Sequence, residues 1–252
     1  MEHSIDKILI TNDDGFDAVG LQILKIIANK FSDQVYVISP KYNQSAKSRS
    51  ITLKKKISFE QKSQYEWIVD GTPTDCGIFA LNHIMKISKP DLILSAINAG
   101  SNIGDEGSYS GTVAAAMEGA LRGINSIALS QFGGDDKDSS YSCSKNNSFE
   151  IIKYLLNLKI NSPLYFNINF PSSISESDNN RQFLFTKLAS QKQSDQIFVN
   201  NLENSYKIGR MLNYNQNTPD TDMETLRKDK VSITPLTLDL TDRFLFNNLN
   251  KR

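Results

Sequence analysis

The sequence predicts an α/β fold, a Rossmann-like, doubly wound and mostly parallel sheet with an antiparallel β extension near the C-terminus. Short apolar runs, which are typical of buried strands, alternate with segments whose apolar residues recur at helical spacing. Polar loops follow several of these runs, and in a doubly wound sheet such loops meet beyond the carboxyl ends of the strands. We therefore expect a single domain over residues 1–252, with the extension at about 190–252.

The first half of the chain carries the clearest alternation. Apolar runs predict buried strands at residues 7–11, 35–39, 91–95 and 124–130. The intervening segments predict helices at residues 18–30, 74–86 and 112–122. In the first helix Leu21, Leu24 and Ile27 share one face. Pro73 suits the first turn of the second helix, and Gly123 ends the third.

Outside this alternation the pattern is weaker. Residues 51–69 alternate loosely and predict β structure outside the parallel core, whereas residues 133–147 are polar and predict a loop. The remaining predicted elements are a helix at 149–158, strands at 164–170 and 231–236, antiparallel pieces over 190–214 and a closing helix at 241–249.

Composition excludes several classes of function. Lysine plus arginine equal aspartate plus glutamate at 28 each, so no global field recruits nucleic acid polymers or an anionic membrane. Two cysteines, Cys76 and Cys143, are too few for a disulfide framework or a structural zinc site. The two histidines, His3 and His83, poorly supply a zinc site or a Ser–His–acid triad, so any metal should have oxygen ligands. We see no signal peptide or membrane span and expect a cytoplasmic protein.

Two adjacent acids, Asp13 and Asp14, follow the first predicted strand. Like charges a few ångströms apart repel, so each carboxylate ionises less readily than it would alone. A bound divalent cation removes that conflict. The alternative is that the pair forms a turn and caps the following helix, and the two acids by themselves leave both interpretations open.

Two further polar side chains follow strands and can supply neutral oxygens. Asn98 comes after the strand at 91–95, and Ser45 lies in the loop after the strand at 35–39. Taken singly, each is better explained as an ordinary loop residue. Together with Asp13 and Asp14 they suit a hard cation and leave room for water and phosphate oxygens.

The segment Ser110-Gly111-Thr112 leads directly into the third predicted helix. Backbone N–H groups at a helix start, with two hydroxyls and a glycine, can bind phosphate. The same residues can also cap their own helix, and the two interpretations are compatible.

In this order the residues resemble the SurE family, the stationary-phase survival proteins that act as nucleotidases. The matching segments are Ile10-Thr11-Asn12-Asp13-Asp14-Gly15, Gln44-Ser45, residues 71–76, Asn98 with Gly100 and Asn102, residues 109–112, Glu118-Gly119 and residues 231–236. Their ordered combination is far more specific than any one of them. The resemblance is dense over residues 7–130, thin from 131 to about 217, and clear again over 219–236.

The resemblance implies a role for each matched position. One divalent metal ion per subunit, Mg²⁺ or Mn²⁺, would be bound by Asp13, Asp14, Ser45 and Asn98. Phosphate would be contacted by Asn12, Asn102, Ser110, Gly111 and Thr112. We expect hydrolysis of nucleoside 5′- and 3′-monophosphates, and of short polyphosphate as in some members. Asp13 or Asp14 would orient the attacking water or accept its proton. The resemblance also implies homodimers or homotetramers that exchange C-terminal segments.

Two positions depart from the family's pattern. Ala96 stands where glycine usually precedes the metal-binding Asn, and Ala46 stands where many members carry glycine after Ser45. An added methyl group removes no ligand, so we expect an effect on metal affinity more than on activity.

Other interpretations of the acid pair are weaker but not all excluded. A phosphatase with a covalent aspartyl-phosphate usually needs a second acid two residues after the nucleophile, where this chain has Gly15. A receiver-like signalling module needs a phosphoacceptor acid at the end of a later central strand, and residues 94–98 offer none. A dinucleotide enzyme needs closely spaced glycines that residues 12–20 lack. A non-catalytic nucleotide-binding module is compatible with the sequence.

Overall fold

The computed structural model describes residues 5–160, 162–174, 182–190, 192–213 and 218–250. The strands are β1 (Lys7–Thr11), β2 (Gln34–Pro40), β3 (Phe59–Ser63), β4 (Glu66–Val69), β5 (Leu92–Ala99), β6 (Asn125–Gln131), β7 (Tyr165–Phe170), β8 (Phe183–Phe185), β9 (Lys192–Asn200), β10 (Ser205–Asn213) and β11 (Val231–Pro235). The α-helices are α1 (Val19–Ala28), α2 (Pro73–Phe79), α3 (Gly111–Ala120), α4 (Ser142–Leu156), α5 (Asp222–Arg227) and α6 (Arg243–Leu249). A π-helical turn, Ala80–Ile84, continues α2.

The strands form a nine-stranded sheet and a separate two-stranded sheet. The order in the large sheet is β3-β4-β2-β1-β5-β6-β7-β11-β8. The six strands from β4 to β7 in this order all run parallel. Numbered along the chain, these six lie in the order 3-2-1-4-5-6, the doubly wound arrangement, so the predicted fold class is confirmed. The order reverses between β1 and β5, and this switch point is where such folds bind ligands.

Helices cover both faces of the sheet because its central strands are apolar on both sides. In β1, Ile8 and Ile10 pack with α1 and α4, whereas Leu9 packs with α2 on the opposite face. Successive side chains of a strand alternate between faces, so a strand buried on both sides requires an uninterrupted apolar run. Fully burying each of these side chains contributes about 1.5–3 kcal/mol. Helix α3 packs beside α2 and against β5 and β6.

The segment at residues 51–69 differs from its prediction. Only its second half is extended, as a hairpin of β3 and β4, and β4 pairs in parallel with β2. The expectation of β structure outside the parallel core was therefore wrong for β4. The reason is burial, since Trp67 and Val69 pack into the cluster beneath α2.

Two element boundaries also differ from the predictions. Helix α4 begins at Ser142, inside the segment predicted as loop. Its first turns are hard to recognise in the sequence because they bury serines: the Ser144 N–H donates to Gln131 Oε1 at 3.0 Å, and the Ser148 hydroxyl donates to the Ser144 carbonyl at 2.6 Å. Strand β5 continues beyond residue 95 to Ala99, with a break in its register against β6.

The C-terminal part of the chain divides between the main sheet and the surface. Strands β9 and β10 form the antiparallel pair that the sequence predicts. Strand β11 lies in the main sheet, antiparallel to β7 and parallel to β8, and neither β8 nor α5 was predicted. Helix α6 buries none of its residues. A role of residues 190–252 in oligomerisation stays a prediction, and residues 191, 214–217, 251 and 252 lie outside the described part.

None of the helices in the described ranges has both the length and the hydrophobicity needed to cross a lipid bilayer.

Candidate metal and phosphate site

The predicted ligands lie at the switch point of the large sheet. Strands β1 and β5 are paired parallel neighbours, so the residues at their carboxyl ends share one edge. Asp13 follows β1, and Asn98 is the second-last residue of β5. Helix α1 approaches the same edge closely: a Cβ at Gly20 would lie 1.9 Å from the Ile97 carbonyl oxygen. Only glycine permits that approach.

Asp13 is almost completely buried, with 3% of its surface exposed. Its Oδ1 accepts a hydrogen bond from the Thr112 hydroxyl. The first residue of α3 is Gly111, where an added Cβ would lie 2.8 Å from Asp13 Cβ, so the start of α3 reaches Asp13 only because position 111 has no side chain. Burial raises the pKa of Asp13, while the Thr112 hydroxyl and the backbone N–H groups of Gly111 and Thr112 oppose the rise.

Asp14 is half-buried and is held by two donors. The Ala99 N–H donates to Oδ2 at 2.9 Å, and Asn43 Nδ2 donates to Oδ1 at 3.3 Å. Burial, and then the negative charge of Asp13, raises the pKa of Asp14 to about 6. Within the described residues, neither carboxylate forms an ion pair with lysine, arginine or histidine. The predicted repulsion between adjacent acids is thus present without a protein cation to relieve it.

Asn98 brings an amide oxygen to the same place. Its Nδ2 donates to the Gly100 carbonyl at 2.8 Å, which sets the orientation of the amide. Its Oδ1 lies 3.4 Å from Thr112 Oγ1, the hydroxyl that donates to Asp13. Thr112 therefore links Asp13 to Asn98. The structure brings three of the four predicted metal ligands together.

Ser45, the fourth predicted ligand, lies on an exposed loop that two hydrogen bonds tie to the site. The Gln44 N–H donates to the Asp13 carbonyl at 2.7 Å. The Ser48 N–H donates to the Tyr109 carbonyl at 3.0 Å. These two hydrogen bonds connect the loop to Asp13 at one end and to the residues that precede α3 at the other. Ser45 is exposed to solvent.

The two positions where the family usually has glycine differ in their surroundings. Ala46 has a φ of 58°, in the left-handed region that glycine favours and alanine does not. Ala96 is fully buried within β5 and has no such positive φ. Backbone strain from the missing glycine therefore falls on the loop that carries Ser45.

The oxygen atoms gathered at this site fit a hard divalent cation. Asp13, Asp14 and Asn98 present carboxylate and amide oxygens, and Ser45 can add a hydroxyl. Asn12 Oδ1 is another buried oxygen beside them, and it has no hydrogen-bond partner. In the part of the chain that the structure describes, no group of three His, Cys, Asp or Glu side chains could hold a metal, so neutral oxygens must complete the set. Mg²⁺ and Mn²⁺ accept such mixed oxygen ligands together with water.

The residues at the start of α3 have two roles: Ser110 caps the helix, and Thr112 forms a hydrogen bond with Asp13. Ser110 accepts a hydrogen bond from the Val113 N–H at 3.1 Å, so the N-cap interpretation is correct for this residue. The Thr112 hydroxyl donates to Asp13 and is not free to donate to phosphate. Ser110, by contrast, keeps its own hydroxyl hydrogen. The predicted contacts of Ser110, Gly111 and Thr112 with phosphate stay a prediction.

Two asparagines predicted to contact phosphate are also partly used by the protein. Asn12 Nδ2 donates to the Gly15 carbonyl at 2.8 Å, and Asn102 Nδ2 donates to Ser130 Oγ at 2.7 Å. Each amide group has two hydrogens, so each keeps one for a ligand. Their contact with phosphate likewise stays a prediction.

A buried polar network, not recognised from the sequence, holds Asn102 in place. The Asn102 N–H donates to Asn169 Oδ1 at 2.8 Å, while Asn167 Nδ2 and Asn169 Nδ2 donate to the Asn102 carbonyl at 2.7 and 3.2 Å. Asn167 and Asn169 are alternate residues of β7, so both face the loop before α3. Two asparagines at a spacing of two in an otherwise apolar strand were the available signal.

A cavity of about 340 Å³ opens beside Asp14. Its lining includes Lys41, Tyr42, Asp135 and Asp136. The last two lie in the segment predicted only as a polar loop, and no pattern in the sequence relates them to the acid pair. Asp14 is thus in contact with a space large enough for water or part of a substrate.

Comparison with known proteins identifies the family. The family model described as Survival protein SurE matches residues 8–195. This chain belongs to the SurE family. Two of its curated relatives are named 5′-nucleotidase SurE. The one from Paramagnetospirillum magneticum is 37% identical over 240 residues, covering 94% of this SurE chain and 92% of the relative.

The second relative and a solved structure extend the match along nearly the whole SurE chain. The relative from Wolbachia pipientis subsp. Culex pipiens is 39% identical over 247 residues, covering 95% of this chain and 91% of its own. The crystal structure of the SurE protein from Aquifex aeolicus has a TM-score of 0.82 at 30% identity, covering 96% of this chain and 98% of that chain. The SurE fold therefore extends beyond residue 130, into the part of the chain where the resemblance of the sequence is thin.

Proposed function

We propose that this chain, a 5′-nucleotidase of the SurE family, uses one divalent metal ion to hydrolyse nucleoside 5′-monophosphates to nucleoside and phosphate. The observation that carries the proposal is the acid pair: Asp13 and Asp14 lie side by side with raised pKa values and, among the described residues, no cationic partner. The names of the relatives supply the substrate class. Mg²⁺ or Mn²⁺ held by Asp13, Asp14, Ser45 and Asn98 would offset the repulsion between the two acids.

The two acids have different surroundings, which supports different roles. When bound, the cation supplies Lewis acidity toward phosphate oxygens and water. Asp13 is enclosed, and Thr112 with the start of α3 orients it and opposes the rise in its pKa. Asp14 borders the cavity of about 340 Å³, so water can reach it. We assign to Asp14 the acceptance of the proton from the attacking water, with Ala99 and Asn43 holding its two oxygens in position.

Donors around the acid pair would bind the phosphoryl group. Asn12 and Asn102 each keep one amide hydrogen, and Ser110 keeps its hydroxyl hydrogen. Gly111 and Thr112 contribute the helix start that favours negative charge. Donors fixed in place before the reaction stabilise the charge that develops on the transferring group.

Several wider expectations belong to the same proposal. Nucleoside 3′-monophosphates and short polyphosphate are further substrates, and the protein acts in the cytoplasm as a homodimer or homotetramer. The exposed apolar residues of α6, which include Phe244 and Phe246, support assembly. The equal numbers of basic and acidic residues support the absence of nucleic acid polymers and membranes as partners.

Phosphate release from adenosine and guanosine 5′- and 3′-monophosphates and from tripolyphosphate tests the proposal, with Mg²⁺, Mn²⁺ or EDTA. We expect release from the 5′-monophosphates with either metal, loss of release in EDTA, and recovery when metal is restored. Release that persists after exhaustive metal removal would contradict the metal assignment.

A non-catalytic nucleotide-binding module is the second candidate. The observation that supports it is the set of buried polar residues at the carboxyl ends of β1 and β5, such as Asn12 and Asn98. Nucleotide binding without any phosphate release would favour it. A receiver-like signalling module is a poorer match, because β5 ends in Asn98 and Ala99 and offers no phosphoacceptor acid.

A further inference from the structure

A second cavity, of about 330 Å³, lies between α3, β7 and the segment that follows β11. Its lining is largely apolar and includes Val113, Ala114, Met117, Leu188 and Leu236. Cavities of this size with apolar walls and a few polar groups are typical of small-molecule sites.

One polar group in this lining lacks a partner. Asn167 is fully buried, and its Nδ2 donates to the Asn102 carbonyl at 2.7 Å. Its Oδ1 has no hydrogen bond. Because a carbonyl oxygen at 2.7 Å can only be accepting from an N–H group, the orientation of the Asn167 amide is determined, and the group left over is an acceptor. A ligand that places an N–H group there would satisfy a buried oxygen that is otherwise costly to leave unpaired.

The second cavity adjoins the acid pair through the first turn of α3. Ser110 lines the cavity, while its neighbours Gly111 and Thr112 contact Asp13. A phosphate ester bound at the acid pair therefore has this cavity within reach of its leaving group.

Tyr165 and Arg49 give the cavity groups that suit an aromatic base. Tyr165 is buried in the lining, and its hydroxyl donates to the Val113 carbonyl at 3.2 Å. Burial raises the pKa of the Tyr165 phenol, so its ring is a neutral wall. Arg49 is exposed at the same cavity and forms no ion pair within the described residues. Aromatic rings and guanidinium groups both stack on nucleobases.

The first cavity, beside Asp14, is a poorer match for a base. Its lining includes aromatic residues such as Tyr42, but most of its exposed surface is polar and carries Asp17, Asp135 and Asp136. Such a surface favours water and cations over an apolar ring. We propose that the nucleoside 5′-monophosphate places its base in the second cavity, where Asn167 Oδ1 accepts a hydrogen bond from a ring N–H or an exocyclic amino group. This inference rests on the proposed nucleotidase function and adds the location of the leaving nucleoside.

A matched pair of substitutions, one within α3 and one directly after it, tests the location. Met117→Trp fills the cavity, whereas Leu121→Trp adds the same group one turn further along, at an exposed position outside the lining. The quantity to measure is the ratio of kcat/KM for adenosine 5′-monophosphate to that for glycerol 2-phosphate, which has no base. We expect Met117→Trp to lower this ratio about tenfold or more, the loss expected when base stacking is removed. Leu121→Trp should leave it within about twofold.

Three outcomes of this test would overturn the proposal. The first is a ratio that Met117→Trp leaves unchanged. The second is a ratio that falls instead in Tyr42→Ala, which alters the first cavity. The third is a change of sedimentation mass in Met117→Trp, which would make the cavity an interface between copies of the chain.

Binding of adenosine to the wild-type protein, measured by calorimetry, tests the same inference without hydrolysis or substitution. We expect saturable binding, and about two- to tenfold weaker binding of purine riboside, which lacks the exocyclic amino group. Equal affinity for the two nucleosides, or no binding of either, would contradict the role of Asn167. Absence of phosphate release with normal adenosine binding would instead refute the nucleotidase function and leave the base site intact.

Discussion

The acid-pair site and the C-terminal surface of this chain are built in opposite ways. At the site, polar side chains are buried and are joined across long stretches of sequence, as Thr112 is to Asp13 and Ala99 to Asp14. At the C-terminal surface, apolar side chains are exposed: Phe244 is 79% exposed, and Leu202, in the turn between β9 and β10, is 97% exposed. The first region is ordered by contacts within one chain, whereas the second presents apolar area that one chain does not cover.

This difference separates chemistry from assembly. Changes at the acid pair should alter turnover and leave the oligomeric state intact, because the pair is enclosed by its own chain. Changes on α6 should alter assembly first, because α6 buries none of its residues in the single chain. Each of the following experiments can break or refine that separation.

Replacing Asp14 with Asn should have the largest effect. The amide keeps an oxygen for the Ala99 N–H but removes a negative ligand and the proton acceptor, so metal-dependent phosphate release should fall by on the order of 10²–10⁴-fold. Asp33→Asn, at an exposed position just before β2, is the control and should be nearly neutral. Near-normal turnover in Asp14→Asn, or a change of its sedimentation mass, would argue against the separation.

Charges introduced on α6 should disrupt assembly. Phe244→Asp combined with Phe246→Asp places two carboxylates in an exposed apolar surface, and we expect the proposed oligomer to dissociate at micromolar concentration. Asn247→Asp is the control, because it adds charge on the same helix without removing apolar area. Analytical ultracentrifugation provides the measurement. An unchanged mass in the double variant would exclude α6 from the interface.

The metal-free protein should lose stability as pH rises through the range in which Asp14 ionises. The pKa of Asp14 is raised from 3.8 to about 6, so the folded state holds this proton more tightly than the unfolded state does. Its contribution is therefore favourable at low pH and declines between about pH 4 and 6. The full shift corresponds to about 3 kcal/mol in the free energy of unfolding.

Urea unfolding in EDTA, compared between the wild type and Asp14→Asn, measures this effect. We expect the stability of the variant relative to the wild type to increase from pH 4 to pH 7, and Mn²⁺ to reverse the difference at pH 7. Parallel pH profiles for the two proteins would show that the pKa of Asp14 is not raised in the folded protein.

Restoring glycine at position 46 should have the smallest effect. Ala46 adopts a φ of 58°, which costs an L-residue about 1 kcal/mol or more, so Ala46→Gly should tighten metal binding by a few-fold through the Ser45 loop. Lys47→Gly, at the neighbouring position without a positive φ, should give no gain. Titration calorimetry with Mn²⁺ measures both. Equal effects of the two substitutions would mean that loop flexibility, and not strain at Ala46, limits affinity.

Much of the fold could be predicted because its signals are local. The apolar run of β1 and the alanine-rich stretch of α3 each indicate their structure within about ten residues. The failures lie where burial is polar or pairing is distant. The start of α4 buries Ser144 against Gln131, and β4 joins the parallel sheet with Trp67 paired to β2. The periodicity of residues 142–156 or 66–69 does not reveal these distant partners.

The sequence by itself determined the doubly wound architecture and the meeting of Asp13, Asp14 and Asn98, since parallel strands place their carboxyl ends on one edge. Only the tertiary structure decided how the polar hydrogens around them are used. Thr112 donates to Asp13 and Asn102 to Ser130, while Asn167 keeps an acceptor unpaired. The physical reason is that a donor forms its hydrogen bond with an acceptor that lies close in space. Which acceptor lies close depends on how α3 packs on the sheet and where β7 lies within it.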